Sequence, residues 1–204
     1  MKGGRKRSFD SAGIVVDGLR RLRIEAYGPL GQPVMALVWD GREILLRLPG
    51  EDAAGRTGPA GLERLLGAGL EPSELCAVLS GNVPAGGEHA AAMLLCAPSG
   101  DCVLELRQGD ARRLVRVSAP SPGPDQGPRI LSYERYQSDK LLFQARFDGF
   151  AEISHYRLPM QIVIGSPDKD LQVTVLYSDA DVNTLIGDDA FILTDGTGTG
   201  DGRE

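Results

Sequence analysis

The sequence predicts a mainly β protein, in which a wide antiparallel sheet curls on itself and two short helices lie across its mouth. Three observations predict it. Most of the chain alternates apolar and polar residues with the period of two that belongs to strands. Turn signals of two or three residues separate many successive stretches, which makes the neighbours antiparallel. Helical spacing occurs only in the middle, over two segments of about nine residues each. The 204 residues include 27 Gly and 13 Pro, a density of turn formers that favours many short elements over long helices.

Residues 5–16 read as a weak first strand, closed by the turn signal Asp17-Gly18. Leu22, Ile24 and Ala26 then share one face, and Arg21, Arg23, Glu25 and Tyr27 the other. Val34–Trp39 is apolar on both faces and is followed by Asp40-Gly41. Ile44, Leu46 and Leu48 oppose Glu43, Leu45 and Arg47. The first helix is expected from Pro59 to Gly67, with Leu62, Leu65 and Leu66 on one face. The second runs from Pro72 to Ser80, with Leu75, Val78 and Leu79 on one face, Glu74 near the positive N-terminal end and Gly81 as the stop. Strand-like stretches follow at 90–97, 101–108, 111–118, 129–137, 140–147, 159–165 and 171–178. Asp148-Gly149 reads as a further turn, residues 119–128 as a Pro/Gly linker, and 195–204 as a disordered tail. The folded unit is expected to be one domain over 5–194.

Geometry then limits the architecture. Ten strands span about 45 Å, whereas each helix is about 14 Å long. Such helices cannot roof a flat sheet that wide, so the sheet curls or folds into a sandwich. A curled sheet encloses either its own side chains or an apolar hollow suited to hydrocarbon. The lining expected for the hollow is Leu22, Ile24, Val34, Ala36, Val38, Leu46, Leu104, Leu106, Phe143, Phe147, Ile162, Ile164, Val173 and Val175. A slip of one residue would exchange the two faces of any of these strands.

Composition excludes other classes. The net charge of −6 argues against nucleic acid as a partner, and 42% hydrophobic residues argue against wholesale disorder. No apolar run is long enough for a membrane-spanning helix. The start MKGGRKRSFD has no apolar stretch behind its charges, so no signal peptide is expected there. His89 and His155 lie far apart and the three cysteines form no CxxC, so no metal or cofactor is expected. No nucleophile elbow, P-loop or HExxH occurs, and no catalytic residue is assigned. Asp188-Asp189 reads as a solvated pair. Cys76 reads as a core residue of the second helix. The hairpin around Pro98 and Gly100 sets Cys96 opposite Cys102 in a non-hydrogen-bonded pair. That spacing suits either a disulfide in an oxidising compartment or two packed thiols.

Charge is uneven along the chain. Lys2, Arg5, Lys6, Arg7, Arg20, Arg21 and Arg23 outnumber Asp10, Asp17 and Glu25 in the first thirty residues. Asp181, Asp188, Asp189, Asp195, Asp201 and Glu204 face only Arg203 at the other end. Two readings are open: a basic first strand with an acidic tail, or a basic edge that meets anionic lipid.

Several segments resemble the LolA/LolB-like outer-membrane lipoprotein carriers and receptors. Tyr27-Gly28-Pro29-Leu30-Gly31 after Arg23-Ile24-Glu25 is similar to the Pro-Leu-Gly hairpin of LolB. Gly61–Leu70, then Glu71-Pro72-Ser73-Glu74-Leu75 and the closing Leu79-Ser80-Gly81-Asn82-Val83-Pro84, resemble the family's paired-helix region. Leu158-Pro159-Met160, Gln172–Leu176 and Asn183 resemble its C-terminal strands. The resemblance implies a half-open β-barrel lidded by helices, and lipoprotein acyl chains or phospholipid held in its concavity. It implies delivery of that cargo to the outer membrane by a non-enzymatic monomer in the periplasm or at the periplasmic face of the outer membrane. It also implies that Gly28, Pro29, Leu30 and Gly31 form a loop that inserts into the membrane surface through Leu30. Strand one begins near Arg5 and the first cysteine is Cys76, so the family's lipidated cysteine and leading helix have no counterpart, and anchoring is not carried over. A second reading of a different class is a non-catalytic assembly module of the cell envelope with a filled core.

Overall fold

A computed structural model describes residues 9, 11–48, 50, 55–58, 61–63, 70–84, 91–120, 127–167 and 171–193. The protein is mainly β. Five strands come first: β1 (Ser11–Asp17), β2 (Arg21–Tyr27), β3 (Pro33–Trp39), β4 (Ile44–Arg47) and β5 (Gly55–Thr57). Helix α1 (Pro72–Leu79) follows. Then come β6 (Ala91–Cys96), β7 (Cys102–Gln108), β8 (Ala111–Val117), β9 (Ile130–Gln137), β10 (Lys140–Ile153), β11 (Tyr156–Ser166) and β12 (Leu171–Leu176).

The predicted wide sheet is in fact two antiparallel sheets. β1 to β5 pair in order, and β6 to β12 pair in order, and among the described residues neither sheet hydrogen-bonds to the other. The break falls where the helical region interrupts the strand pattern, and the sheets do not close into a barrel. One core joins them: Leu22, Leu37, Ile44 and Leu46 from the first sheet, Tyr133, Phe143, Ala145, Ile162 and Ile164 from the second, and Leu75, Cys76 and Val78 from α1.

Helix α1 lies where the sequence expects it. Pro72 fills its first turn, where a missing N–H does no harm, and Glu74 accepts a hydrogen bond from the Glu71 N–H at 3.1 Å. Gly81 ends it at φ +70°, and a Cβ there would stand 2.4 Å from Pro159 Cδ. Glycine is thus required by both the left-handed turn and the contact with β11. Every residue from Glu74 to Leu79 is buried, so α1 fills the space between the sheets. Of the predicted first helix only 61–63 is described, and it is helical.

Two further expectations change. Asp148-Gly149 is no turn: β10 runs on to Ile153, and the reversal comes at Ser154 and His155, at φ +48° and +68°. Both residues pay the left-handed conformation that glycine would accept freely, because the ladder from Phe150–Pro159 to Ile153–Tyr156 holds them there. Gly149, at φ +64°, instead kinks the long strand. The two uneven ends of the chain meet in part. Arg21 is bonded to Asp17 at 2.7 Å and to Asp188 at 2.5 Å, and Arg23 donates to the carbonyls of Ala190 and Ile192. Asp188 remains exposed, as the solvated pair Asp188-Asp189 is expected to be, while it bonds Arg21, and the short 3-10 turn Asp188–Phe191 straps the outer side of β2. Residues 1–8, 89, 121–126 and 195–204, which carry the start of the weak first strand, His89, most of the linker and the acidic tail, lie outside the described residues.

Candidate functional site

The register decides which predicted lining residues share a face. In the first sheet Leu22 pairs with Trp39 and Ile24 with Leu37, and Leu37 pairs with Leu46. Leu22, Ile24 and Leu46 therefore point inward with Leu37 and Trp39. Ala36 and Val38 point the other way, opposite Glu25 and Arg23, and Val34 falls at an irregularity between the Ala26 and Tyr27 pairs. The assignment of Val34, Ala36 and Val38 to the inner lining is thus corrected. The physical reason is that β3 is apolar on both faces: Met35, Ala36, Leu37 and Val38 are all buried, so alternation carries no phase. Ala36 and Val38 lie on the strapped side of the sheet, where Phe191 is buried and lies against the Arg21 guanidinium at 4.4 Å.

In the second sheet one row crosses every strand: Leu94, Leu104, Val115, Tyr133, Ala145, Ile164 and Val173. Phe147, Ile162 and Val175 form a parallel row. Phe143, Phe147, Ile162 and Ile164 are buried in the core, and Leu104, Val173 and Val175 pack half-buried against it. Leu106 pairs with Ala92 and Arg113 on the same inner face and is half-buried. The inner face is therefore apolar except where Arg113 and Arg135 stand in the row of Ala92, Leu106 and Phe143, and its burial is not uniform. From β8 to β11 it lies under α1 and the first sheet. At β6 all six residues are exposed, and Leu94 is 63% exposed. The hollow predicted from sequence is thus occupied by α1 over its centre and bare at one wing.

A polar cluster holds the roof. Arg135, inward on β9, donates from Nη1 to Glu74 Oε2 of α1 at 2.7 Å. The Tyr133 hydroxyl lies 3.5 Å from Glu74 Oε1. Burial, reinforced by the Glu74 charge, pushes the Tyr133 phenol up to about 12. The Tyr177 hydroxyl donates to the Leu79 carbonyl at 2.9 Å, and burial raises its pKa as well. The buried Cys76 thiol is pushed up to about 12 by burial and rests 3.7 Å from the Arg21 carbonyl. α1 is thus fastened at its start to β9, at its middle to β2 and at its end to the chain after β12. None of these polar contacts was visible in the sequence; the one available signal was a tyrosine and an arginine two apart on a strand, hence on one face.

Cys96 and Cys102 are bonded as a disulfide, with Cα atoms 4.0 Å apart, at the closed end of the β6–β7 hairpin. Beside them, chiefly on the outer face, lies a groove of about 460 Å³ lined by Leu95, Val103, Arg116, Val117 and Leu131. None of the predicted lining residues borders it. Across the molecule, the Gly28-Pro29-Leu30-Gly31 turn is closed by a Gly31 N–H bond to the Gly28 carbonyl at 2.9 Å. Gly31 sits at φ +76°, and the Gln32 side chain caps the Leu30 N–H at 3.1 Å. Leu30 stands 91% exposed at this tip.

Two antiparallel sheets, open on one side and wrapped on a buried helix, define the fold class. A solved LolA superfamily protein from Nitrosomonas europaea has this fold: it superposes with a TM-score of 0.56 at 19% identity, over 88% of this chain and 80% of that one. No family model matches the sequence. No curated protein matches it either. No helix among the described residues is long and apolar enough to cross a membrane, which leaves strands untested.

Proposed function

We propose that the protein is a non-catalytic carrier that binds the acyl chain of a lipid or lipoprotein on the concave face of the second sheet and helps deliver it to the outer membrane. The observation that supports it most is the inner row from Tyr133 through Val115 and Leu104 to Leu94, which passes from full burial to 63% exposure with only Val115, Leu104 and Leu94 along it on β6–β8, Arg113 lying in the neighbouring row. Hydrocarbon laid along that row gains about 25 cal/mol per Å² removed from water. A longer chain reaches the covered part of the face by displacing α1. The likeness to the LolA superfamily fold supports the same reading, and a carrier of this kind works in the periplasm or at the periplasmic face of the outer membrane. Leu30, on its rigid turn, serves as the membrane contact, and cargo leaves when the bilayer offers a better sink.

Titration with a fluorescent fatty acid tests the reading. Saturable binding that Leu104→Asp weakens is expected; binding that never saturates, or that Leu104→Asp leaves unchanged, overturns it. The filled centre, where Tyr133, Phe143, Leu75, Val78, Ile162 and Ile164 are all fully buried, favours the second reading, an assembly module that takes no ligand. Absence of saturable binding is the outcome that reading expects.

A further inference from the structure

The free edge of β6 is a pairing surface, and its backbone pattern selects a partner. Ala97 donates its N–H to the Asp101 carbonyl at 2.8 Å, which makes this the hydrogen-bonded pair that closes the hairpin. Pairs alternate in an antiparallel ladder, so Cys96–Cys102, Leu94–Leu104 and Ala92–Leu106 are non-hydrogen-bonded pairs. The N–H and C=O groups of Ala92, Leu94 and Cys96 therefore point away from β7, toward the open edge. Among the described residues no strand pairs with that edge. All six residues of β6 are exposed, and Met93, Leu94 and Leu95 are 46%, 63% and 58% so.

Sheet edges are usually blunted by charge, proline, a bulge or shortness. β6, with sequence AAMLLC, has none of the first three, and its register with β7 is regular over all six residues. The other edges differ. β5 is three residues long and carries Arg56, β1 ends on Asp17, and β12 alternates Gln172 and Thr174 with its apolar residues. Among the described residues β6 is the edge strand that is apolar on both of its faces.

We infer that β6 is the contact between two copies of this chain, joined edge to edge about a two-fold axis through Leu94. The pattern is self-complementary. With Leu94 facing itself, Ala92 of each copy faces Cys96 of the other, and all three outward-pointing positions pair at once. This forms about six backbone hydrogen bonds across the axis. On the outer face the same register sets Met93 of each copy against Leu95 of the other, so apolar meets apolar on both sides and no like charges oppose. The second sheets of the two copies become one continuous sheet, and the contact is isologous and closed. This departs from the monomer expected from the sequence, and it does not depend on lipid binding.

Sedimentation velocity on the full chain over a range of concentrations tests it, together with hydrogen exchange at Ala92, Leu94 and Cys96. A concentration-dependent dimer is expected, with those three amides slowing as it forms. Leu94→Pro removes an N–H that faces the edge and none that faces β7, so it should weaken the dimer by roughly tenfold or more while leaving circular dichroism unchanged. Met93→Lys with Leu95→Lys should do the same through like charges, without touching the backbone. A wild-type chain that stays monomeric, a dimer that both variants leave intact, or three amides that exchange freely within the dimer overturns the inference. If both variants fail to fold, the wild-type exchange result decides alone.

Discussion

The two halves of the second sheet differ far more in burial than in sequence. β10 and β11 present Phe143, Ala145, Phe147, Ile162 and Ile164 inward, all at 4% exposure or less. β6 and β7 present Leu94, Leu104 and Leu106 inward with the same alternation, and these range from half-buried to 63% exposed. What separates them is cover: α1 and the first sheet reach one half and stop short of the other. Apolar periodicity therefore marks a face that can leave water, and only the neighbouring element decides whether it does. The bare half is where a ligand or a partner can act.

Mutations sharpen this contrast, the largest effect falling under the roof. Phe143→Ala should cost about 3–5 kcal/mol in urea unfolding, because its ring is fully buried against Tyr133 at a centroid distance of 6.0 Å. A loss below about 1 kcal/mol, the size expected at a surface site, would mean the roofed half is not a packed core. Glu74→Ala should cost about 2–3 kcal/mol, since it strips Arg135 of a buried counter-charge. Restoring stability by pairing it with Arg135→Met would confirm that the charge, not the helix, was the source.

High pH should loosen the roof. Tyr133 and Cys76 both hold their protons more tightly folded than unfolded, with pKa values pushed to about 12 from ordinary values of 10.0 and 9.0. Their stabilisation is complete below the unfolded values and is lost as pH rises through about 12. Melting temperature should thus fall from about pH 9 upward, and Tyr133→Phe should flatten the part above pH 10.0. The smallest effects on stability belong to the bare regions. Leu94→Ala at low protein concentration should cost under about 1 kcal/mol, and Leu30→Glu should stay within about 0.5 kcal/mol. Leu30→Glu should nevertheless weaken association with anionic liposomes in a flotation assay; unchanged flotation would remove Leu30 from the membrane contact.

Much of this fold is legible from residues alone. Asp17-Gly18 and Asp40-Gly41 mark true reversals between β1 and β2 and between β3 and β4. Pro72 and Gly81 bracket α1 because each excludes the alternatives at its position. Legibility failed where local chemistry was silent or misleading. Ser154-His155 forms a turn without glycine, while Asp148-Gly149 looks like one and is a kink in β10. Val34, Ala36 and Val38 could not be phased, since Met35, Ala36, Leu37 and Val38 are apolar and buried on both faces of β3. Among the site features, Leu30 stood out through the resemblance carried by Gly28-Pro29-Leu30-Gly31, and the structure shows it 91% exposed at the tip of that turn. The Glu74–Arg135 pair did not, because its two members meet only through the packing of α1 on β9.

Native mass spectrometry of the protein purified from its source cells measures the central proposal most directly. The account predicts a population carrying one lipid-sized adduct per chain, which Leu104→Asp loses. Purified protein that appears only at its bare mass, and stays so after incubation with phospholipid or acylated peptide, would contradict it.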